Sequence, residues 1–400
     1  MSCEASIEMG CTTTARAVLL SLVSASCITP SHPPPKPAAE ASAPLVSFPE
    51  TDGACADTQH AALDFSRLQI AGRALRSETE GARFAWGGTS FSFRFRGPVF
   101  RVDLEDAGHN LFGVSLDGVT LPGKLTAYFG RYCYTLAQGL PAGEHRLTLT
   151  RLTEASLGES VLHAASLDQA GELLPPEPAP TRRLEVIGDS ITAAYGVEGT
   201  DRFCHFTPTT ENHSLSYAAL LATTLHAQLS SVAWSGKGVF SNAGSTSDTI
   251  PMPPLWERTL PARAGSSWDF ASWQPDAVVI ELGTNDFSPY NKQQAPFEAA
   301  YRAFLARVRE VYPKAAVLCA LSPVLSDSWP AGTHTRSLAR ERIQGAVEFR
   351  RAQGDARVFY VEHALVGDSE GFGCDWHPSR LTHARMAREL TSELSKILGW

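Results

Sequence analysis

Residues able to carry acyl-transfer chemistry fall at turns in the second half of this chain. The stretch 183–192 reads Arg-Leu-Glu-Val-Ile-Gly-Asp-Ser-Ile-Thr, so Ser190 follows an apolar run that turns at Gly188. A serine where a strand gives way to a helix has an exposed hydroxyl and an unpaired backbone N–H. That suits a nucleophile whose own amide helps hold an oxyanion. The same place also suits a plain N-cap. Further on come Ser235, Gly236, Lys237 and Gly238, where glycine lets backbone N–H groups approach a ligand closely. Asn285, within Gly283-Thr284-Asn285-Asp286, carries an amide donor suited to an oxyanion, although asparagine in a turn more often bonds its own backbone. His377 precedes Pro378 and opens the last helical pattern as a candidate general base. Alone it would read as a capping or packing histidine. Together, and in this order, the four supply a nucleophile, oxyanion donors and a base.

Position is what gives these residue types their meaning. The apolar run at 184–187 reads as a buried strand. The pattern then alternates: helix 214–229, strand 232–234, strand 277–282, helix 295–311, strand 315–321, a helix around 337–351, strand 358–361 and helix 381–398. This predicts a three-layer α/β fold with a mainly parallel sheet. Ligands of such sheets bind at the carboxyl ends of the strands, where Ser190, Gly236 and Asn285 fall. The segments before it are short and β-rich. Phe91, Phe93 and Phe95 alternate with polar residues, and Asp117-Gly118 signals a hairpin. They predict a β-sandwich, of jelly-roll type, over 57–176. Its readings are a sugar-binding face or, preferred here, a structural companion that shapes the neighbouring cleft. Prolines 175, 176, 178 and 180 mark the boundary, and the α/β domain is expected over 181–400.

The chain has 400 residues, 43 % of them hydrophobic, and a formal net charge of -8. Two or three domains with ample core are expected. Nothing points to nucleic acid or to an anionic membrane surface. Residues 1–27 resemble an export signal, too short to span a bilayer. Cys27 after small residues resembles a bacterial lipoprotein cleavage site, with Ser24 where leucine is usual, so a lipid on Cys27 and plain secretion both stay open. The stretch 28–56 is expected to be a proline-rich tether. Export permits disulfides. Cys204 and Cys374 flank the candidate site, which makes a bridge between them one option, while Cys319 in an apolar run reads as a buried thiol. No cysteine or histidine pair has metal-ligand spacing, so no metal or cofactor is expected.

Ser190, Gly236, Asn285 and His377 resemble the four blocks of the SGNH, or GDSL, hydrolases, in order and placement over 183–400. With the β-rich domain in front, the chain resembles carbohydrate esterase family 2, in which a jelly roll precedes an SGNH domain. The segments around 204–211 and 373–378 add to that resemblance. It implies removal of acetyl groups from plant-type polysaccharides or oligosaccharides such as xylan and glucomannan. It further implies Ser190 as nucleophile, His377 as base, an oxyanion hole of Ser190, Gly236 and Asn285, and Trp376 as a sugar platform. Many SGNH enzymes place an acid three residues before the histidine. Here that position is Cys374, and Asp375 stands two before. Residues two apart in an extended segment point to one side, so Asp375 is the expected partner of His377, with a backbone carbonyl as the alternative. An unperturbed His377 predicts activity rising through about pH 6.5. Trp256, Trp273 and Trp329 on expected loops are further candidates to line the cleft. Gly367-Asp368-Ser369-Glu370-Gly371 fits another nucleophile motif, but no helix pattern follows its serine as that motif requires. The alternatives are a lipase or thioesterase on the same scaffold, and a sugar-binding surface lipoprotein with an inert hydrolase domain.

Overall fold

The computed structural model describes residues 51–52, 55, 59–108, 110–169, 171–244, 249–288 and 296–400. The expected export signal, its Cys27 and the proline-rich stretch 30–49 lie outside the described residues.

Alternation builds the first domain. In the strand Ser90–Arg96, Phe91, Phe93 and Phe95 face inward and are buried, while Ser92 and Arg94 face the other side. This strand pairs antiparallel with Glu144–Arg151, setting Phe93 opposite Leu147 and Phe91 opposite Leu149. Leu111–Leu116 lies beyond it, joined to Val119–Thr120 by a hairpin. Asp117 and Gly118 both take positive φ there, 52° and 83°, as a two-residue turn of this hand demands. The opposing sheet runs through Gly130–Gln138, Val99–Asp106, Ser160–Leu167 and Gly81–Phe84. Phe84, Phe100, Leu104, Tyr134 and Leu162 fill the space between the sheets. The result is a two-sheet antiparallel sandwich in front of an α/β domain.

The second domain is a five-stranded parallel sheet. Its spatial order is Ala227–Ala233, Arg182–Gly188, Ala277–Glu281, Ala316–Leu321 and Val358–Glu362. Leu184 and Val186 pack on one face with Leu221, Met386 and Leu390. Ile187, Val278 and Ile280 pack on the other with Phe304, Val308 and Ile343. Burial on both faces explains why these strands read as continuous apolar runs.

Three expectations need correction here. The helix foreseen at 214–229 is only Tyr217–Thr224, and the strand foreseen at 232–234 is Ala227–Ala233. Ser216 caps the helix by accepting from the Ala219 N–H, and the chain leaves it through His226 at φ 50°. Leu225 therefore closes the helix, and Leu229 lies on the strand. Trp256, expected on a cleft loop, is fully buried in the core against Phe270 and Phe304.

Candidate active site

Three strand ends meet on one edge of the sheet. Arg182–Gly188 ends at Gly188, where an added Cβ would lie 1.9 Å from Thr192 Oγ1, so only glycine fits. The chain then turns into the short helix Ser190–Ala193, and Asp189 accepts a hydrogen bond from the Ile191 N–H at 3.0 Å. Ser190 thus begins a helix, as the sequence pattern implied, with its hydroxyl aimed across the sheet edge. Gly236 lies just after Ala227–Ala233 at φ 79°. No described residue accepts a hydrogen bond from its N–H. Asn285 follows Ala277–Glu281, and its Nδ2 donates to the Lys237 carbonyl at 2.9 Å and to Asp189 Oδ2 at 3.2 Å. The asparagine thus ties the glycine loop to the serine turn.

His377 comes from the far end of the chain. Its Nε2 lies 2.8 Å from Ser190 Oγ, across 187 residues of sequence. Its Nδ1 lies 3.1 Å from the Asp375 carbonyl and 3.3 Å from the Cys374 carbonyl. A carbonyl can only accept, so Nδ1 carries the ring proton and Nε2 is left to accept from the serine hydroxyl. The expected pairing of the Asp375 carboxylate with His377 is not what the structure contains. Asp375 and Trp376 both adopt left-handed backbone, φ 51° and 64°. The alternation of an extended segment therefore fails, and the carboxylate swings away while its own carbonyl faces the ring. It accepts from the Tyr195 hydroxyl, the Phe206 N–H and His205 Nδ1, each at 2.9 Å. Burial alone would raise the Asp375 pKa, but these donors outweigh it and hold the group below the ordinary carboxylate range.

Left-handed conformations at two non-glycine residues cost free energy and must be held by their surroundings. A Cys204–Cys374 disulfide anchors one end of the turn. The Asp375 N–H donates to the Cys204 carbonyl at 3.0 Å, and the Gly373 N–H to the His377 carbonyl at 2.8 Å. Tyr195 packs its ring 4.1 Å from that of His377 and 4.3 Å from that of Phe206. Burial lowers the His377 pKa to about 4, outweighing the two carbonyls and the Asp375 charge, which act to raise it. Beneath the serine lie Asp189, Glu281 and Asp286, all buried, and burial raises the pKa of each.

Trp376 points outward and is half exposed. The Arg202 guanidinium lies 4.7 Å above its ring, with Phe372 and Phe203 edge-on to it. Trp329 is exposed on another loop. Ser369 lies in a turn with no helix after it; neighbouring Glu370 instead accepts from Ser379, the cap of Arg380–Leu398. A second disulfide, Cys55–Cys133, was not foreseen, and Cys319 is a buried free thiol. Among the described residues, no cluster of three or more histidine, cysteine, aspartate or glutamate side chains could hold a metal ion. Sequence reasoning missed Tyr195 and His205, which no spacing rule links to residues 170 or more positions away.

A serine and an imidazole in contact over the carboxyl edge of a parallel sheet are the arrangement of a serine hydrolase. Residues 186–385 match the GDSL-like Lipase/Acylhydrolase family, and residues 70–177 match the Carbohydrate esterase 2 N-terminal family. The structure superimposes with a TM-score of 0.78 on a family two carbohydrate esterase from Clostridium thermocellum solved in complex with cellohexaose. The two are 37 % identical, and the match covers 83 % of this chain and 99 % of that one. The chain belongs to carbohydrate esterase family 2. It is 38 % identical over 327 residues to the cellulase/esterase CelE of Acetivibrio thermocellus, covering 81 % of this chain but only 39 % of that longer protein. It is 27 % identical over 354 residues to an acetylxylan esterase / glucomannan deacetylase of Cellvibrio japonicus, covering 88 % of this chain and 94 % of that protein.

Proposed function

We propose that this protein is a serine esterase that removes O-acetyl groups from plant-type polysaccharides or oligosaccharides through an acyl-enzyme. The observation that carries the reading is the 2.8 Å contact between His377 Nε2 and Ser190 Oγ, with Nδ1 set against carbonyls. His377 takes the serine proton as Ser190 attacks the acetyl carbonyl. The oxyanion is held by the N–H groups of Ser190 and Gly236 and by the Asn285 amide. For Asn285 this uses the hydrogen directed at Asp189 at 3.2 Å, a longer contact than that to the Lys237 carbonyl. His377 then gives that proton to the departing sugar oxygen; water, deprotonated by His377, attacks the acyl-enzyme, and Ser190 regains its proton as acetate leaves. Trp376, half exposed beside the base, offers a flat face for a sugar ring. The names of the relatives, esterases of acetylated xylan and glucomannan, support the substrate class.

The reading is tested by acetate release from acetylated xylan, acetylated glucomannan and aryl acetates, with Ser190→Ala as control. Turnover of acetyl but not octanoyl esters, lost in Ser190→Ala, is expected. A preference for octanoate would make the protein a lipase instead, and failure of a fluorophosphonate to label Ser190 would make it an inert sugar binder. Asn285→Ala should lower kcat by about 10²–10³, the usual loss for one oxyanion donor, as measured on an aryl acetate.

The pH profile follows from the burial of His377. The base works when neutral, so activity is present above its pKa and lost as pH falls through it. With that pKa near about 4 rather than the ordinary value, kcat/KM should be flat between about pH 6 and 8 and fall only in more acidic buffer. The rise through about pH 6.5 expected of an unperturbed histidine should be absent. A midpoint at that value in stopped assays on an aryl acetate would show a solvated imidazole.

We also propose export, with a lipid on Cys27 as the further possibility to be tested by mass spectrometry of the mature N-terminus. Two disulfides within the described residues support an oxidising compartment.

A further inference from the structure

The sandwich domain reaches into the candidate active site at one point. After its strand Glu144–Arg151 the chain continues to Glu154, which is almost fully buried. Glu154 Oε2 accepts from the Ser235 N–H at 2.6 Å, and Oε1 accepts from the Ser156 hydroxyl at 2.8 Å. Ser235 directly precedes Gly236, whose N–H serves the oxyanion in the proposed mechanism. The other sides of this loop are fixed from within the α/β domain. The Ala243 N–H donates to the Gly236 carbonyl at 2.8 Å, and Asn285 donates to the Lys237 carbonyl at 2.9 Å. Glu154 adds a restraint on the Trp234–Ser235 peptide, one peptide before the one that carries the Gly236 N–H.

Glu154 is itself held from both domains. Its N–H donates to Glu211 Oε2 at 3.0 Å, and its carbonyl accepts from Arg151 Nη2 at 2.9 Å. Arg151 is fully buried and also donates to Asn110, Ser160 and the Thr153 and Gly158 carbonyls. The carboxylate therefore sits on a rigid frame. Glycine at positive φ is conformationally free, so the loop needs such a frame to aim one N–H at a fixed point. Oxyanion stabilisation depends on donors preorganised to within a few tenths of an ångström.

We propose that Glu154 is a positioning residue for the Gly236 oxyanion donor, so that the sandwich domain is part of the catalytic apparatus. This rests on the proposed esterase mechanism. Ser235 N–H needs an acceptor at that place, and a neutral amide oxygen serves as well as a carboxylate. Glu154→Gln offers its oxygen to Ser235 and its NH2 to the Ser156 hydroxyl, which can turn to accept. Glu154→Asp keeps the charge but falls short by one methylene.

The test compares full-length wild type with Glu154→Ala, Glu154→Asp and Glu154→Gln on an aryl acetate, with thermal melts and the rate of fluorophosphonate labelling of Ser190. Glu154→Ala should lower kcat by about 10- to 100-fold, below the full loss of a donor, with KM changed less than about twofold and labelling slowed in parallel. Glu154→Asp should lose several-fold and Glu154→Gln should recover most of the loss. Where the alanine variant does not fold, the aspartate and glutamine variants decide. Folded Glu154→Ala with wild-type kcat, or Glu154→Asp outperforming Glu154→Gln, overturns the assignment while leaving the esterase reading intact. A wild type that neither hydrolyses esters nor labels at Ser190 overturns the esterase reading instead.

Discussion

Replacing His377 by alanine is expected to lower kcat on an aryl acetate by at least about 10⁴-fold, in the range seen when the base of a serine hydrolase is removed. Asp375→Asn, two residues away, should cost less than about tenfold. The contrast follows from where the two groups point. His377 Nε2 is 2.8 Å from Ser190 Oγ, so removing the ring leaves no acceptor for the serine proton. Asp375 meets the ring through its carbonyl at 3.1 Å, and a side-chain change does not remove that carbonyl. Its carboxylate instead holds the left-handed turn through Tyr195, His205 and the Phe206 N–H. Asparagine keeps one oxygen for those donors, so the turn should survive with a modest loss. In serine proteases, where a buried aspartate orients the histidine, the same aspartate-to-asparagine change costs about 10⁴-fold. Equal losses for His377→Ala and Asp375→Asn, in variants with unchanged melting temperature, would mean that the carboxylate turns to Nδ1 during catalysis.

What the sequence revealed and what it hid divide along a physical line. The apolar run 184–187, the glycine at 188 and the serine after it are local signals, since each follows from what a buried parallel strand and a tight exit require. The structure places Ser190 and Asn285 at adjacent strand ends for that reason. His377 lies within reach of Ser190, just before a proline and a capped helix that were legible in the sequence. Asp375 misled because the two-residue alternation assumes extended backbone. A disulfide to Cys204 and three hydrogen bonds from distant residues fix a left-handed turn instead, and nothing local encodes that. Trp256 read as a loop residue because its five-residue helix, Met252–Trp256, has prolines at its second and third positions and is too short for a periodic signal. Glu154 left no trace at all. A lone carboxylate near a turn reads as a solvated group, and its acceptor role depends on an N–H 81 residues away.

The same division explains the joint between the domains, where the largest loss of stability is expected. Arg73, from the sandwich, is fully buried and pairs with Glu185 at 2.8 Å. Glu185 lies on the strand that leads into Ser190, and it also accepts from Trp256 Nε1 at 2.9 Å and from Ser230 at 3.2 Å. The guanidinium donates further to the carbonyls of Trp256 and Arg258 and lies 5.0 Å over the Trp268 ring. Arg73→Ala should destabilise the fold by about 3–5 kcal/mol, because it leaves an uncompensated carboxylate in the core. The double change Arg73→Met with Glu185→Leu should cost far less, since it removes both desolvation penalties along with the attraction. Urea unfolding of the single and double variants reads this directly. An Arg73→Ala protein within about 1 kcal/mol of wild type, the range of an exposed ion pair, would mean that water reaches Glu185. The active-site strand would then rest on the sandwich far more loosely than its closed packing implies.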